Sequence, residues 1–400
     1  MNRNNLTIGL FGFGCVGYGL YEVLQQTPTF EARIKRICVK HEHKQRPIDL
    51  DYFTFNPLDI LTDPSINTIV ELIDNADEAF EIVKTAMQHG KAVVSANKKM
   101  IAEHFFELLE LQRKYQVPLL YEAACCASIP IIRNLEEYYD NDLLESLEGI
   151  VNGSTNYILS KTAHENISYE VALKDAQQKG FAESNPILDT GGFDAKYKLC
   201  ILIAHAFGVV LAPDDLYNIG IDGLGDLELK FAKEKGYKIK LVAHAEKTAD
   251  GNIKALVIPK FVPATDPLYY VDDVFNGIKT KSFFSDVQFF SGKGAGAYPT
   301  ASAVLSDISA LSYDYRYEYK KLNDADKLVS EENCILKVFL RFNTEHSISC
   351  QGAFNSIYES FISVKSGYLI GIISLANIRR LKESIKDALS FVLFDFVTEE

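Results

Sequence analysis

This 400-residue chain carries none of the marks of a membrane protein, a disulfide scaffold or a nucleic-acid binder. No uninterrupted apolar span reaches the roughly 20 residues that a transmembrane helix needs. The first residues lack the basic region, apolar core and cleavage site of a secretory leader. A soluble, cytoplasmic protein is therefore expected. The seven cysteines are odd in number and scattered; Cys125 and Cys126 are neighbours, but no CxxC pair and no His/Cys metal spacing occurs. They read as reduced and mostly buried thiols. Positive charge is in deficit, and a formal net charge of −13 argues against nucleic acid or an anionic membrane as principal partner. Internal repeats and low-complexity tracts are also missing. The chain is 47% hydrophobic and long enough to bury the cores of two or three domains.

Apolar runs over residues 7–11, 34–39, 68–72, 92–95 and 118–121 alternate with amphipathic stretches such as Asp77 to His89. That is the rhythm of a parallel sheet with helices on both faces. After about Asn152 the pattern changes, and strand signals at 238–243 and 253–259 predict a second, mixed sheet. A glycine-rich break at 291–296 precedes a small-residue helix expected over Thr300 to Leu311. From about Asn333 the pattern reads strand 334–342, helix 351–361, strand 368–374, helix 378–388, strand 391–397.

The first strand runs directly into Gly12-Phe13-Gly14-Cys15-Val16-Gly17 and then a helical pattern to Gln26. A GxGxxG alone is weak, but in this strand–turn–helix setting it reads as a dinucleotide fingerprint. The first glycine makes the tight turn, the second lets backbone approach a pyrophosphate, and the third lets helix pack on strand. An acid normally stands about 20 residues past the glycines in NAD enzymes. Here the second strand ends in Lys40-His41, with Lys44 and Arg46 close behind. Unless this is only a basic surface loop, NADP(H) is favoured over NAD(H).

The segment from Lys179 to Lys198 gathers Glu183, Asp189, Asp194 and Lys198. Asp194 and Lys198 are four residues apart at the start of an apolar run and share one face of a helix. Such a pair is more often a solvated ion pair. With two more carboxylates in the preceding loop, the group could hold an ammonium ion while the lysine moves a proton on a neighbouring oxygen. A small amino-acid substrate is expected.

Several motifs in order give the chain a specific resemblance over its first 320 residues or so. Val94 to Lys99 (VSANKK), Gly149 to Leu159 (GIVNGSTNYIL), Gly180 to Lys198 and Gly294 to Val304 (GAGAYPTASAV) together resemble the homoserine dehydrogenase family. The resemblance implies NAD(P)-dependent interconversion of L-homoserine and L-aspartate 4-semialdehyde. It implies a Rossmann-type nucleotide-binding domain over 1–130 and an α+β catalytic and dimerisation domain over 131–325, in a homodimer. Lys198 would then be the proton-transferring lysine, Lys98 a second active-site lysine, and Asp194 their catalytic companion. Glu183, Asp189, Asp194, Gly153 and Ser154 would face substrate. The cofactor would meet Gly12, Phe13, Gly14, Cys15, Val16, Gly17, Lys40, Asn75, Lys98, Gly180 and Gly296.

Departures are as informative as matches. The family's glycine-rich turn appears as Glu122 to Pro130 without any glycine. Backbone carbonyls of that turn can hold a monovalent cation such as Na+ in the family, which would use Glu122, Cys125, Ala127 and Ile129 here. Side chains at glycine positions are expected to change that backbone or to narrow the approach to the cofactor; a packed turn without an ion is the alternative. Phe181 replaces a tyrosine, and Asp74-Asn75 replaces a glycine pair. Residues 333–400 resemble a degenerate ACT regulatory domain, whose glycine turn is replaced by Asn343 to Ser347. Two alternatives stand beside this reading: another NAD(P)-dependent amino-acid dehydrogenase, or a catalytically impaired regulatory homologue.

Overall fold

Strands that must be buried on both faces read as continuous apolar runs, and β1 (Leu6–Phe11) is buried at every position. The computed structural model describes residues 5–27, 30–141, 143–248, 251–322, 334–385 and 389–397. Two compact units are present: Met1–Asp142 with Cys200–Pro213 and Gly292–Asn323, and Leu143–Leu199 with Asp214–Ser291 and Asp324–Glu400.

In the first unit β1 is joined by β2 (Ala32–Cys38), β3 (Phe53–Thr54), β4 (Thr68–Glu71), β5 (Ala92–Ser95) and β6 (Leu119–Leu120). All pairings are parallel, in the order β3-β2-β1-β4-β5-β6. This is the doubly wound arrangement whose ligands bind outside the carboxyl ends of the strands, where the order reverses between β1 and β4. Ile8, Leu10, Ile37, Ile69, Val70, Val93 and Val94 form its fully buried core.

The helix expected from Thr300 begins earlier, at Ala297, and ends at Leu311. Its Ala301, Val304, Ile308 and Ala310 are buried, and Gly19 of the helix Cys15–Gln25 lies so near that a Cβ there would sit 3.0 Å from the Ala297 carbonyl oxygen.

The second unit is built on a mixed sheet of β7 (Leu144–Ile150), β8 (Tyr217–Asn218), β9 (Tyr237–Lys247), β10 (Ile253–Pro263), β11 (Phe275–Ser282), β12 (Asp286–Lys293), β13 (Ile335–Asn343), β14 (Ser356–Ile362), β15 (Ser366–Ser374) and β16 (Ser390–Phe396). The order is β12-β11-β7-β9-β10-β16-β13-β15-β14, with β8 paired to β10. The C-terminal strands therefore continue the same sheet, and one hydrophobic core joins Val242, Leu256, Ile258 and Val262 to Leu336, Val338, Leu340, Phe391 and Leu393.

The C-terminal segment differs from the expected order. Residues 351–361, read as a helix, form only the end of a helix, Ser347–Ala353, followed by β14. The second helix is Leu375–Ser384. The layer is thus strand-helix-strand-strand-helix-strand with internal order β16-β13-β15-β14, a split βαβ arrangement. The misreading has a physical source: β14 is the last strand of the sheet and exposed along nearly its whole length, so no in–out alternation is imposed on its sequence. The boundary expected between 325 and 333, and the end of the helix expected to reach Ala388, fall outside the described residues. Among the described residues no helix is long and apolar enough to cross a membrane.

Candidate functional site

The glycine turn of the first unit has the geometry its sequence demands. Gly12 adopts φ +90°, and a Cβ there would meet the Leu72 carbonyl oxygen at 2.5 Å. A Cβ on Gly17 would come to 2.4 Å from the Gly12 oxygen, which is the close strand–helix approach required of the third glycine. Gly14, by contrast, faces open space. The helix Cys15–Gln25 has no side chain capping its N-terminus and no acid in its first turn. Its leading N–H groups and positive dipole end suit a pyrophosphate. Cys15 and Val16 open that helix, and Phe13 packs edge-on against Phe53 at 5.2 Å.

Past β2, Lys40 is exposed and its Nζ lies 2.7 Å from Glu78. Arg46 folds back over Phe53, with its guanidinium 4.7 Å from the ring centroid, and donates to the carbonyls of Lys44 and His41. Asn75 caps the helix Ala76–Gln88 by accepting from the Glu78 amide at 2.9 Å.

Lys98 opens the helix Lys98–Glu103, whose N-cap is Asn97. Beneath it Glu71, fully buried, accepts from the Ile73 amide at 2.7 Å and from Ser95 Oγ at 2.6 Å. Burial pushes this carboxyl up to about 7, the two hydrogen bonds oppose the rise, and Asp74 adds to it.

In the second unit the helix Phe193–Phe207 brings Asp194 and Lys198 onto one face, with Lys198 Nζ donating to Asp194 Oδ2 at 2.7 Å and to the Val151 carbonyl at 2.7 Å. Asn152 completes the cluster. Its amide donates to Asp189 at 2.7 Å and to Asp194 at 2.8 Å, while its carbonyl caps the helix Gly153–Glu165 through the Thr155 amide at 2.8 Å. Asp194, Lys198 and Asn152 are buried. Two carboxylates stand together in this cluster beside the lysine, a grouping that suits a cationic amino group.

Gly153 passes so near Val274 that a Cβ would lie 2.9 Å from its carbonyl oxygen, and Ser154 follows in the same first turn. Glu183 and Gly180 (φ +75°) lie on the exposed loop before Pro186, where Gln177 holds the Glu183 carbonyl at 3.0 Å. Gly296 (φ +123°) stands at the start of the helix Ala297–Leu311. Asn152 was legible in the sequence as a cap before a helical pattern; its hold on two aspartates was not.

At the glycine-free turn, Cys126 (φ 56°) and Ala127 (φ 41°) both occupy the left-handed region although buried. At these two positions the chain accepts a conformation that non-glycine residues seldom adopt. The carbonyls of Glu122 and Ile129 each accept one backbone bond, from Cys125 at 3.2 Å and Ile131 at 2.8 Å. The buried Glu122 side chain accepts from the Ile132 and Arg133 amides at 2.8 and 2.9 Å. Burial and the neighbouring Asp307 push its carboxyl up to about 8. Among the described residues no cluster of His, Cys, Asp or Glu side chains is arranged to hold a metal.

Comparison with known proteins adds independent findings. Residues 12–122 match the family model described as homoserine dehydrogenase, NAD binding domain, and residues 130–309 match the one described as homoserine dehydrogenase. Homoserine dehydrogenase of Neisseria gonorrhoeae is 36% identical over 311 residues, covering 76% of this chain and 71% of that protein. The crystal structure of a homoserine dehydrogenase from Thiobacillus denitrificans superposes with a TM-score of 0.87 at 28% identity, covering 98% of both chains. A hyperthermophilic archaeal homoserine dehydrogenase mutant, solved in complex with NADPH, matches with a TM-score of 0.67 at 25% identity over 78% of this chain and 99% of its own.

Proposed function

The chain belongs to the homoserine dehydrogenase family, and from that premise we propose how its own residues interconvert L-homoserine and L-aspartate 4-semialdehyde, a step of amino-acid biosynthesis. The first unit is its NAD(P)-binding domain. The bound nicotinamide coenzyme supplies or accepts the hydride. The Gly12–Gly17 turn and the uncapped helix N-terminus hold the pyrophosphate. Lys40, with Arg46 behind it, meets the 2′-phosphate and makes NADP(H) the preferred coenzyme. In the NADPH complex of the archaeal relative the phosphorylated coenzyme is the one present.

Glu183 and Asp189 attract the substrate's ammonium group, and Asp194 fixes Lys198. Proton transfer falls to Lys198. Lys198 Nζ donates to Asp194 at 2.7 Å, and from that fixed place the amine gives a proton to the oxygen that gains charge as the aldehyde is reduced. Lys98 is the second active-site lysine. The observation that carries this reading is the buried cluster in which Asn152 ties Asp189 and Asp194 to the Lys198 helix. Its test is the consumption of NADPH with aspartate semialdehyde, repeated with NADH; no turnover with either would refute it.

The carbonyls of Glu122, Cys125, Ala127 and Ile129 are proposed to hold a monovalent cation, a reading supported by the retained left-handed pair Cys126 and Ala127. Activity independent of sodium or potassium would count against it. A cytoplasmic homodimer assembled through the second unit is supported by a run of exposed aromatics at β11 and β12: Phe275, Phe283, Phe284 and Phe289. The layer formed by residues 334–397 is proposed to be ACT-like and structural, because residues 343–347 carry no glycine.

A further inference from the structure

Glu71 ends β4 and has no exposed surface. A buried carboxylate is costly unless its oxygens are satisfied. Among the described residues no cation pairs with it. Its two oxygens take their donors from two different loops. Oε1 accepts from the Ile73 amide at 2.7 Å, on the loop after β4. Oε2 accepts from Ser95 Oγ at 2.6 Å, at the end of β5.

The bonds then close into a ring. Ser95 Oγ accepts from the Asn97 amide at 3.1 Å, and Asn97 Nδ2 donates to the Ile73 carbonyl at 3.1 Å. Asn97 Oδ1 meanwhile caps the next helix at the Met100 amide, 3.0 Å away, so Lys98 leaves the ring at a fixed point. The same loop touches the nucleotide turn, since a Cβ on Gly12 would strike the Leu72 carbonyl. All of this lies at the carboxyl ends of β1, β4 and β5, where a doubly wound sheet binds its ligand.

We propose that Glu71 is a positioning residue for hydride transfer: through Ser95 and Asn97 it sets Lys98, and through Ile73 it sets the loop that carries Asn75. The inference rests on the reading of Lys98 as an active-site lysine. A carboxylate accepts both bonds at once. An amide in its place presents N–H to one of the two donors. Ser95 Oγ would then receive hydrogens from two sides and leave its own buried O–H without an acceptor. A ring held at one atom has no slack elsewhere, so the change passes to Asn97 and Lys98.

The test compares the full-length parent with Glu71→Gln, Ser95→Ala and the double variant. Hydrogen exchange of the nucleotide-free proteins, read on peptides spanning 71–76 and 95–100, should be at least about tenfold faster in each variant. The kcat for aspartate semialdehyde should fall by about tenfold or more, while the Kd for NADPH, read by its fluorescence, shifts by less than about threefold. Because the residues act as one ring, the double variant should be no worse than the worse single variant. Unchanged exchange, a kcat within about twofold of the parent, a loss confined to NADPH affinity, or a double variant equal to the product of the singles would each overturn the proposal. If the parent fails to turn over aspartate semialdehyde, the proposed function is what has failed. The exchange comparison, which needs no substrate, then shows whether Glu71 holds the Lys98 loop, and unchanged exchange still refutes it.

Discussion

Lys198 donates to Asp194 one helical turn earlier, at 2.7 Å, with both side chains buried. A surface pair at this spacing would be worth a few tenths of a kcal/mol. Here Asn152 holds the acid from the other side, so the lysine has a defined place. Lys198→Ala is expected to lower kcat by about 10² or more, with NADPH binding nearly unchanged. Steady-state kinetics alongside nucleotide titration check this, and near-normal turnover would remove Lys198 from proton transfer.

For the coenzyme, Lys40 already has a partner in Glu78, so a 2′-phosphate must compete with a carboxylate. Two opposite changes follow. Lys40→Asp should shift the ratio of kcat/KM for NADPH over NADH downward, and Glu78→Gln should shift it upward, each by several-fold. A ratio unmoved by both substitutions excludes this base from coenzyme choice.

Stability of the first unit should fall as pH rises from about 5 to 8. Glu122 is raised from 4.5 to about 8 by burial and by Asp307, and Asp307 from 3.8 to about 6 by burial. Across this interval the folded unit holds protons that the unfolded chain has released, so stability declines toward high pH. For Glu122 the full effect is on the order of 5 kcal/mol. Calorimetry at pH 5.5, 7 and 8.5 (about) should show the first-unit transition moving down by several degrees, and Glu122→Gln should flatten the slope. A transition that rises with pH would contradict the assignment.

Exposed Phe283 and Phe284 at the turn between β11 and β12 point to self-association. Sedimentation at micromolar protein should give about twice the chain mass of 44.8 kDa, and Phe283→Ser with Phe284→Ser should shift the species toward monomer. A parent that sediments as a monomer would dispose of the dimer.

Threonine should not inhibit. Regulation requires a site with different affinities in two states, and the turn after β13 is a short helix, Thr344–His346, with Glu345 and His346 where a glycine turn would bring amides to a ligand. Titration to about ten millimolar should leave the rate unchanged; saturable inhibition would show that the layer senses threonine.

The parallel sheet of the first unit, the glycine turn and the Asp194–Lys198 face were legible because each depends on patterns local in sequence; the order of the strands was not. Glu71, Glu148 and β14 were not. Glu148 is a buried carboxylate bonded to His244 at 2.9 Å and Lys260 at 2.8 Å, partners 96 and 112 residues away; nothing beside it in the chain marks it. Glu71 likewise sits in an apolar strand and acquires its meaning only when β5 lies alongside. Asn152 falls between these cases, its cap local and its two aspartates distant.

β10 has β9 on one side and, on the other, β8 along part of its length and β16, more than 125 residues later in sequence, beyond it. A ribosome must therefore have passed Phe396 before this sheet can close. Until then Val242, Leu256 and Ile258 lack the part of their core that Leu336, Val338, Leu340, Phe391 and Leu393 supply, and the nascent protein presents an open strand edge of the kind that invites aggregation. A nonsense mutation near residue 330 would consequently be expected to yield insoluble or degraded product rather than an enzyme freed of its last layer. The C-terminal segment is thus an integral part of the architecture, and grafting or trimming it as a cassette would remove structural support from the half of the chain that carries Lys198.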